Sequence, residues 1–184
     1  MSNVLIGIIG VILFIGLALA GALILGDDFK SSKSTTEAAA VQQQMAQVAA
    51  AYDMYKLKMG GPPAIAFDFA HTAGNKVMAA LMPRFLKSAP VTNRRPGMYN
   101  WFFVDENGGY SQNANLLMFN LVEDSGTKDL CDAIAEQAGM ADAAGKAPIL
   151  PKPPLDRQQG CYQFQGGWGF PQGLTGNYHV FRRI

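Results

Sequence analysis

Charge is scarce in this chain: Asp, Glu, Lys and Arg make up only 16% of the 184 residues, and the formal net charge is +1. With so little, there is no overall basic field to hold nucleic acid and no acidic tail, and no specific nucleic-acid partner is expected. The basic pairs Arg94-Arg95 and Arg182-Arg183 read as solvated surface. Histidine and cysteine are nearly absent too, with two of each. Neither Cys131 nor Cys161 belongs to a Cys-x-x-Cys pair, and His71 and His179 are distant from both in sequence, which argues against a zinc or redox site. His179 sits on an alternating stretch with aromatics on both faces and reads as a core or edge histidine. The segment Gly166-Gly167-Trp168-Gly169 runs into Phe170-Pro171, not into a helix, so it is no phosphate loop. His-Glu-x-x-His and Gly-x-Ser-x-Gly do not occur. Asp105-Glu106 falls on an expected turn and reads as surface, not as a paired acid and base. The expectation is a protein that is not an enzyme, with no catalytic residue, no metal ligand and no cofactor.

Apolar density is what the chain has, and its strongest concentration lies at the start. From Val4 to Leu25 there is no charge and no strongly polar side chain. At 1.5 Å per residue, about 20 apolar residues span a hydrocarbon core of roughly 30 Å. A cleaved secretory signal would need a basic start and a shorter apolar run, although Ala18 and Ala20 form a small-x-small pair. The segment is therefore expected to stay, as a helix in a membrane or a filament core over residues 1–26. Gly7, Gly10, Gly16, Ala18, Ala20, Gly21, Ala22 and Gly26 would let neighbouring helices approach closely, which drives association in lipid. Asp27, Asp28, Lys30 and Lys33 beyond it give no orientation by charge. Behind such a segment the head is expected to be exported, and an even cysteine count then favours a Cys131–Cys161 disulfide.

The helical pattern continues past Gly26. Ala38, Val41, Met45, Val48, Tyr52, Tyr55 and Met59 recur at alternating spacings of 3 and 4, with Gln42, Gln43, Gln44, Gln47, Asp53, Lys56 and Lys58 on the other faces. That is one apolar stripe on an amphipathic helix over residues 27–60. Ser34, Thr35 and Thr36 ahead of Glu37 could cap a helix start, which allows a break near residues 31–34. Gly60-Gly61-Pro62-Pro63 ends the element. If unbroken, the helix would be about 90 Å long. Its second half is expected to lie on its own head; a coiled-coil stalk is the alternative, with Ala38 and Tyr52 as poor knobs.

Residues 61–184 read as a globular α+β head built on a small antiparallel sheet. A short helix is expected over Ala73 to Lys87, with Val77, Met78, Leu81, Phe85 and Leu86 inward and Pro83 able to split it. Pro96 to Val104 and Tyr110 to Val122 read as strands around a turn at residues 105–109. Thr127 to Gly139 reads as a helix with Thr127 as N-cap, and Ala143 to Pro154, with four prolines, as a loop. Gly160 to Phe164 and Asn177 to Ile184 read as two more strands. The aromatics Tyr99, Trp101, Phe102, Phe103, Tyr162, Phe164, Trp168 and Phe170 are expected to be core and subunit contacts before stacking platforms.

This arrangement resembles the type IV pilin family, its type IVb branch most closely. The resemblance is carried by the apolar N-terminus, by Ala51-Tyr52-Asp53-Met54-Tyr55 running into Gly60-Gly61-Pro62-Pro63, by Leu130-Cys131-Asp132-Ala133-Ile134 and by the late cysteine pair. It implies a monomer held in the inner membrane and polymerised by a pilus assembly machinery into a helical homo-oligomer, an extracellular filament for adhesion, motility, conjugation or DNA uptake. The helices would bundle through Leu5, Ile9, Gly10, Leu13, Phe14, Gly16, Leu17, Ala20 and Gly21, and Cys131–Cys161 would bracket a variable surface region. Pilins usually carry Glu at the fifth mature position and a proline late in the apolar half, where this chain has Leu5 and Ala22. No prepilin leader is present, so Met1 is expected to be the mature start. These departures fit an atypical branch, a minor subunit or an archaeal-type filament. A secretion-system pseudopilin and a single-pass anchored binding protein are the competing readings.

Overall fold

The computed structural model describes residues 2–63, 73–90, 101–106, 114–121, 126–166 and 177–184, with the side chains of residues 2–7, 10, 22–30, 73–76 and 102 outside the description. In chain order the elements are α1 (Ser2–Met59), α2 (Ala73–Leu81), β1 (Trp101–Val104), β2 (Leu116–Leu121), α3 (Thr127–Gln137), β3 (Ile149–Leu150), β4 (Gln159–Phe164) and β5 (Tyr178–Arg183). The architecture is α+β, with helices on a five-stranded mixed sheet of order β1-β2-β5-β4-β3. The expected turn at residues 107–109, the strand extensions over 96–100 and 110–113, His71, Arg94-Arg95, Tyr99, Trp168 and Phe170 lie outside the described residues.

The expected apolar stripe is the part of α1 that packs. Ala38, Val41, Met45, Val48 and Tyr52 are all buried, Tyr55 is half-buried, and Met59, the last of the series, is 54% exposed. They meet α3, whose Leu130, Cys131 and Ile134 are inward, and α2 through Val77, Met78 and Leu81. The Tyr52 ring stacks on Phe103 of β1 at 5.1 Å between centroids, and Tyr55 meets the edge of Phe85 at 5.4 Å. This stripe is covered by the molecule's own head, so it does not form a stalk with another chain. Ser34, Thr35 and Thr36 do not cap a new start. Their hydroxyls donate to the carbonyls of Ser31, Ser31 and Ser32 at 2.9–3.0 Å, the back-bonding of residues inside a helix.

The sheet is buried on both faces. Alternation sends Trp101, Phe103, Leu117, Phe119, Leu121, Cys161, Tyr178 and Val180 toward the helices. It sends Val104, Leu116, Met118, Tyr162, Phe164 and Phe181 to the other side, where Met140 and Leu150 pack on them. Trp101, Phe103, Tyr162 and Phe164 are therefore core side chains. Gly160 is placed for contact on this second face, since a Cβ there would stand 2.1 Å from Met140 Sδ and 3.2 Å from the Phe181 ring.

Several expectations are corrected. The sheet is not wholly antiparallel, because β3 pairs parallel to β4 with Ile149 opposite Gln163 and Leu150 opposite Phe164. That strand lies in the proline-rich stretch read as a loop. Pro148 and Pro151 flank a two-residue edge strand where no donor is missed, and the Pro148 and Leu150 carbonyls accept from Gln163 and Gln165 N–H at 2.9 and 3.0 Å. Thr127 is not the N-cap of α3. Gly126 is, while Thr127 is the first helical residue and is buried. Arg182 and Arg183 are not merely solvated: Arg182 donates to Gln159 Oε1 at 2.6 Å across the strand pair, and Arg183 donates to the Leu155 carbonyl. The short helix ends at Leu81, well before the expected Lys87 and ahead of a cis Met82–Pro83 bond. Gly139 stands past the end of α3 with φ +65, as a helix C-terminus favours.

Candidate assembly surface on the N-terminal helix

The described side chains of the first part of α1 face solvent on every side. Each residue from 11 to 20 is exposed, and ten helical residues cover all azimuths nearly three times. Ile8, Ile9, Val11, Ile12, Leu13, Phe14, Ile15, Leu17 and Leu19 are between 49% and 74% exposed. Of the residues expected to pack in a filament core, Ile9, Leu13, Phe14, Gly16, Leu17 and Ala20 are exposed, and Gly21 is half-exposed. The side chain of Leu5 and residue Gly10 lie outside the described set. A Cβ built on Gly16 or Gly21 would meet nothing within 4 Å. Among the described residues no helix is long and apolar enough to cross a membrane.

From residue 31 onward α1 changes character. Lys33 approaches Glu37 at 4.0 Å and Lys56 approaches Asp53 at 3.4 Å, both exposed one-turn pairs that contribute little to stability. Ser31, Ser34 and Thr35 line an open cleft against Asp129, Asp132, Ala133 and Glu136 of α3 and Gly145 and Lys146 beyond it. Short side chains on α1 face acids on α3 here, just above the point where Ala38 begins the packed stripe. Sequence reasoning missed Met54 and Leu57, which stand 45% and 84% exposed on the outer side of α1. Their signal was a second run at the same helical spacing, offset from the packed one.

The head that carries this helix is stapled. Cys131 on α3 and Cys161 on β4 form a disulfide with Cα atoms 5.3 Å apart, and both residues are fully buried. The segment between them is pinned by two carboxylates. Asp132 Oδ1 accepts the Ala147 N–H at 2.8 Å, and its Oδ2 meets Lys128 Nζ at 2.9 Å and Lys146 Nζ at 3.3 Å. Burial pushes this carboxyl up, yet the Ala147 N–H and the two ammonium groups outweigh it and hold it below the ordinary 3.8. Asp142 Oδ1 accepts the N–H groups of Ala144 and Lys146, closing a turn in which Gly145 has φ +72.

Behind the sheet, register aligns Asn120 of β2, His179 of β5 and Tyr162 of β4 in one row. His179 is fully buried, stacks on Tyr162 at 5.7 Å and meets the edge of Phe164 at 5.4 Å. Burial lowers its pKa to about 4 and pushes the Tyr162 hydroxyl above its usual range. His179 is thus a neutral core residue. Among the described residues no group of His, Cys, Asp and Glu could hold a metal ion. Comparison with family models, with curated proteins and with solved structures returns no match.

Proposed function

We propose that this protein is a structural subunit of the type IV pilin kind, which polymerises through its N-terminal helix into an extracellular filament. One observation carries the reading: nine large apolar side chains between Ile8 and Leu19 of α1 stand 49–74% exposed around the full circumference of the helix. Burying what remains exposed of them would yield on the order of 10 kcal/mol, far more than an isolated helix can forgo. An environment apolar on every side is required, either lipid or a bundle of identical helices, and a filament subunit uses both in turn. The all-round apolar half and the head-packed half then act as one rod, with the disulfide-stapled head on the outside. Before assembly the subunit sits in the inner membrane with its head exported. Leu5, Ile9, Gly10, Leu13, Phe14, Gly16, Leu17, Ala20 and Gly21 make the core packing. With Ala22 in place of a helix-breaking proline, any unwinding in the filament centres on residues 16–26.

The test is electron microscopy of material sheared from expressing cells, with intact mass under non-reducing conditions. Filaments containing a chain lighter by two hydrogens are expected, and Leu13→Lys should abolish them while leaving the head oxidised. Protein confined to the membrane fraction with no filament would overturn the proposal in favour of a pseudopilin or an anchored binding protein. For the latter, replacing Gly16 and Ala20 by Leu would be harmless.

A further inference from the structure

The apolar part of α1 and its head-packed part are joined through a turn of a different kind. Of the six residues 31–36, five carry hydroxyls: Ser31, Ser32, Ser34, Thr35 and Thr36. Serine and threonine are mediocre helix formers, whereas the run Glu37-Ala38-Ala39-Ala40 that follows is a strong one. Three of the hydroxyls fold back on the helix. Ser34 and Thr35 both donate to the Ser31 carbonyl, and Thr36 donates to the Ser32 carbonyl. The Ser31 oxygen therefore has two side-chain donors competing with its helical N–H partner. Tertiary support is thin on the same turn. Ser31, Ser32, Lys33, Thr35 and Thr36 are exposed and Ser34 is half-buried, and burial begins only at Ala38, at 0% exposed. Toward the head, Ser31, Ser34 and Thr35 face the open cleft of about 280 Å³ whose far wall is α3. From the end of α3, Gln137 Nε2 reaches the Thr35 carbonyl at 3.5 Å, a long bond.

We infer that residues 31–36 are a joint, a turn of α1 that opens and bends so that the head tilts against the apolar rod and the cleft narrows. Below the turn, α1 is fixed to the head by the buried series from Ala38 to Tyr52. Above it, the side chains from Val11 to Ala20 are exposed on every side and take their support from an apolar surrounding. Two bodies held by different environments move against each other through the segment that neither holds. A helical turn opens most readily where few buried contacts support it and its backbone bonds face water. The hydroxyls lower the cost further. When the N–H partners of the Ser31 and Ser32 carbonyls swing away, the back-bonded hydroxyls keep both oxygens paired, which a turn of alanines could not do. Bending toward the cleft carries Ser31, Ser34 and Thr35 toward the carboxylates of Asp129 and Glu136, which accept from hydroxyls. Gly16 and Gly21 weaken α1 as well, but in an apolar surrounding no water takes up an opened N–H. The joint is a property of the single chain; it goes beyond the filament reading and does not depend on it.

Hydrogen exchange and spin-label distances on the full chain in detergent micelles test the joint. The amides of residues 35–37, whose helical acceptors are the carbonyls of residues 31–33, should exchange about a hundred times faster than those of residues 45–52. Both native cysteines are held in the buried disulfide, so labels attach only where a cysteine is introduced. Labels on Ala20→Cys and Lys152→Cys span the joint and should give a distance distribution about twofold broader than labels on Gln43→Cys and Lys152→Cys, which do not. Ser31→Ala, Ser32→Ala, Ser34→Ala, Thr35→Ala and Thr36→Ala made together favour the helix and should narrow the first distribution to the width of the second. Equal protection at residues 35–37 and 45–52 overturns the joint, and so does a width that the five alanines leave unchanged. Filaments built from a chain with a protected, narrow joint would remove this inference and keep the filament reading. A mobile joint in a chain that forms no filaments would do the reverse.

Discussion

Acid should loosen the head through His179 before it reaches Asp132, whose carboxyl is held below 3.8. The imidazole is fully buried between Tyr162 and Phe164, and burial brings its pKa from 6.5 to about 4. A base with a depressed folded-state pKa binds its proton more tightly when unfolded. Stability is therefore complete above pH 6.5, falls as pH drops from there toward 4, and changes no further once both states are protonated. Each unit costs about 1.4 kcal/mol, so the window removes about 3 kcal/mol. Against a total of roughly 5–15 kcal/mol this is a large share. The assay is urea unfolding of the full chain in detergent at half-unit steps from pH 8 to 4, alongside His179→Phe. The wild type should lose midpoint steadily below pH 6.5 with an unchanged slope, and the variant should lose markedly less over the same range. Parallel curves for the two proteins would show that His179 does not carry the effect and would refute the reasoning.

Asp132 acts in a lower window: its carboxyl is held below 3.8, so the stability it supplies is lost only as pH falls through that lowered value. Asp132→Ala strands the half-buried Ala147 N–H and should cost about 1–2 kcal/mol by chemical denaturation, with Asp132→Asn costing less. Removing the disulfide with Cys131→Ala and Cys161→Ala releases a 30-residue loop and should cost about 3–4 kcal/mol, or roughly 10 °C in calorimetric Tm. Gly160→Ala should destabilise by about 1–3 kcal/mol because its Cβ meets Met140 Sδ and Phe181, and adding Met140→Ala should recover part of that in a double-mutant cycle.

What the sequence determined by itself is whatever depends on neighbours a few residues away. The 3-and-4 spacing from Ala38 to Tyr55 set which residues share one face of α1, because a helix repeats its sides every 3.6 residues whatever it packs on. Gly60-Gly61-Pro62-Pro63 ended α1 at Met59, and Gly139 ended α3, through backbone preferences local to those residues. The cysteine pair was readable from count and context and is formed. Tertiary structure decided the rest, since strand pairing joins distant residues at no local cost that a window could register. It drew Ile149–Leu150 out of a proline-rich stretch because β4 offered an open edge, and made the sheet mixed. It placed β5 between β2 and β4, which buried His179 and turned Arg182 and Arg183 into ties across the fold. It also decided which face of α1 is covered. Helical spacing is present on each, and only the head's occupation of the one beginning at Ala38 left the one through Gln47 and Leu57 facing outward.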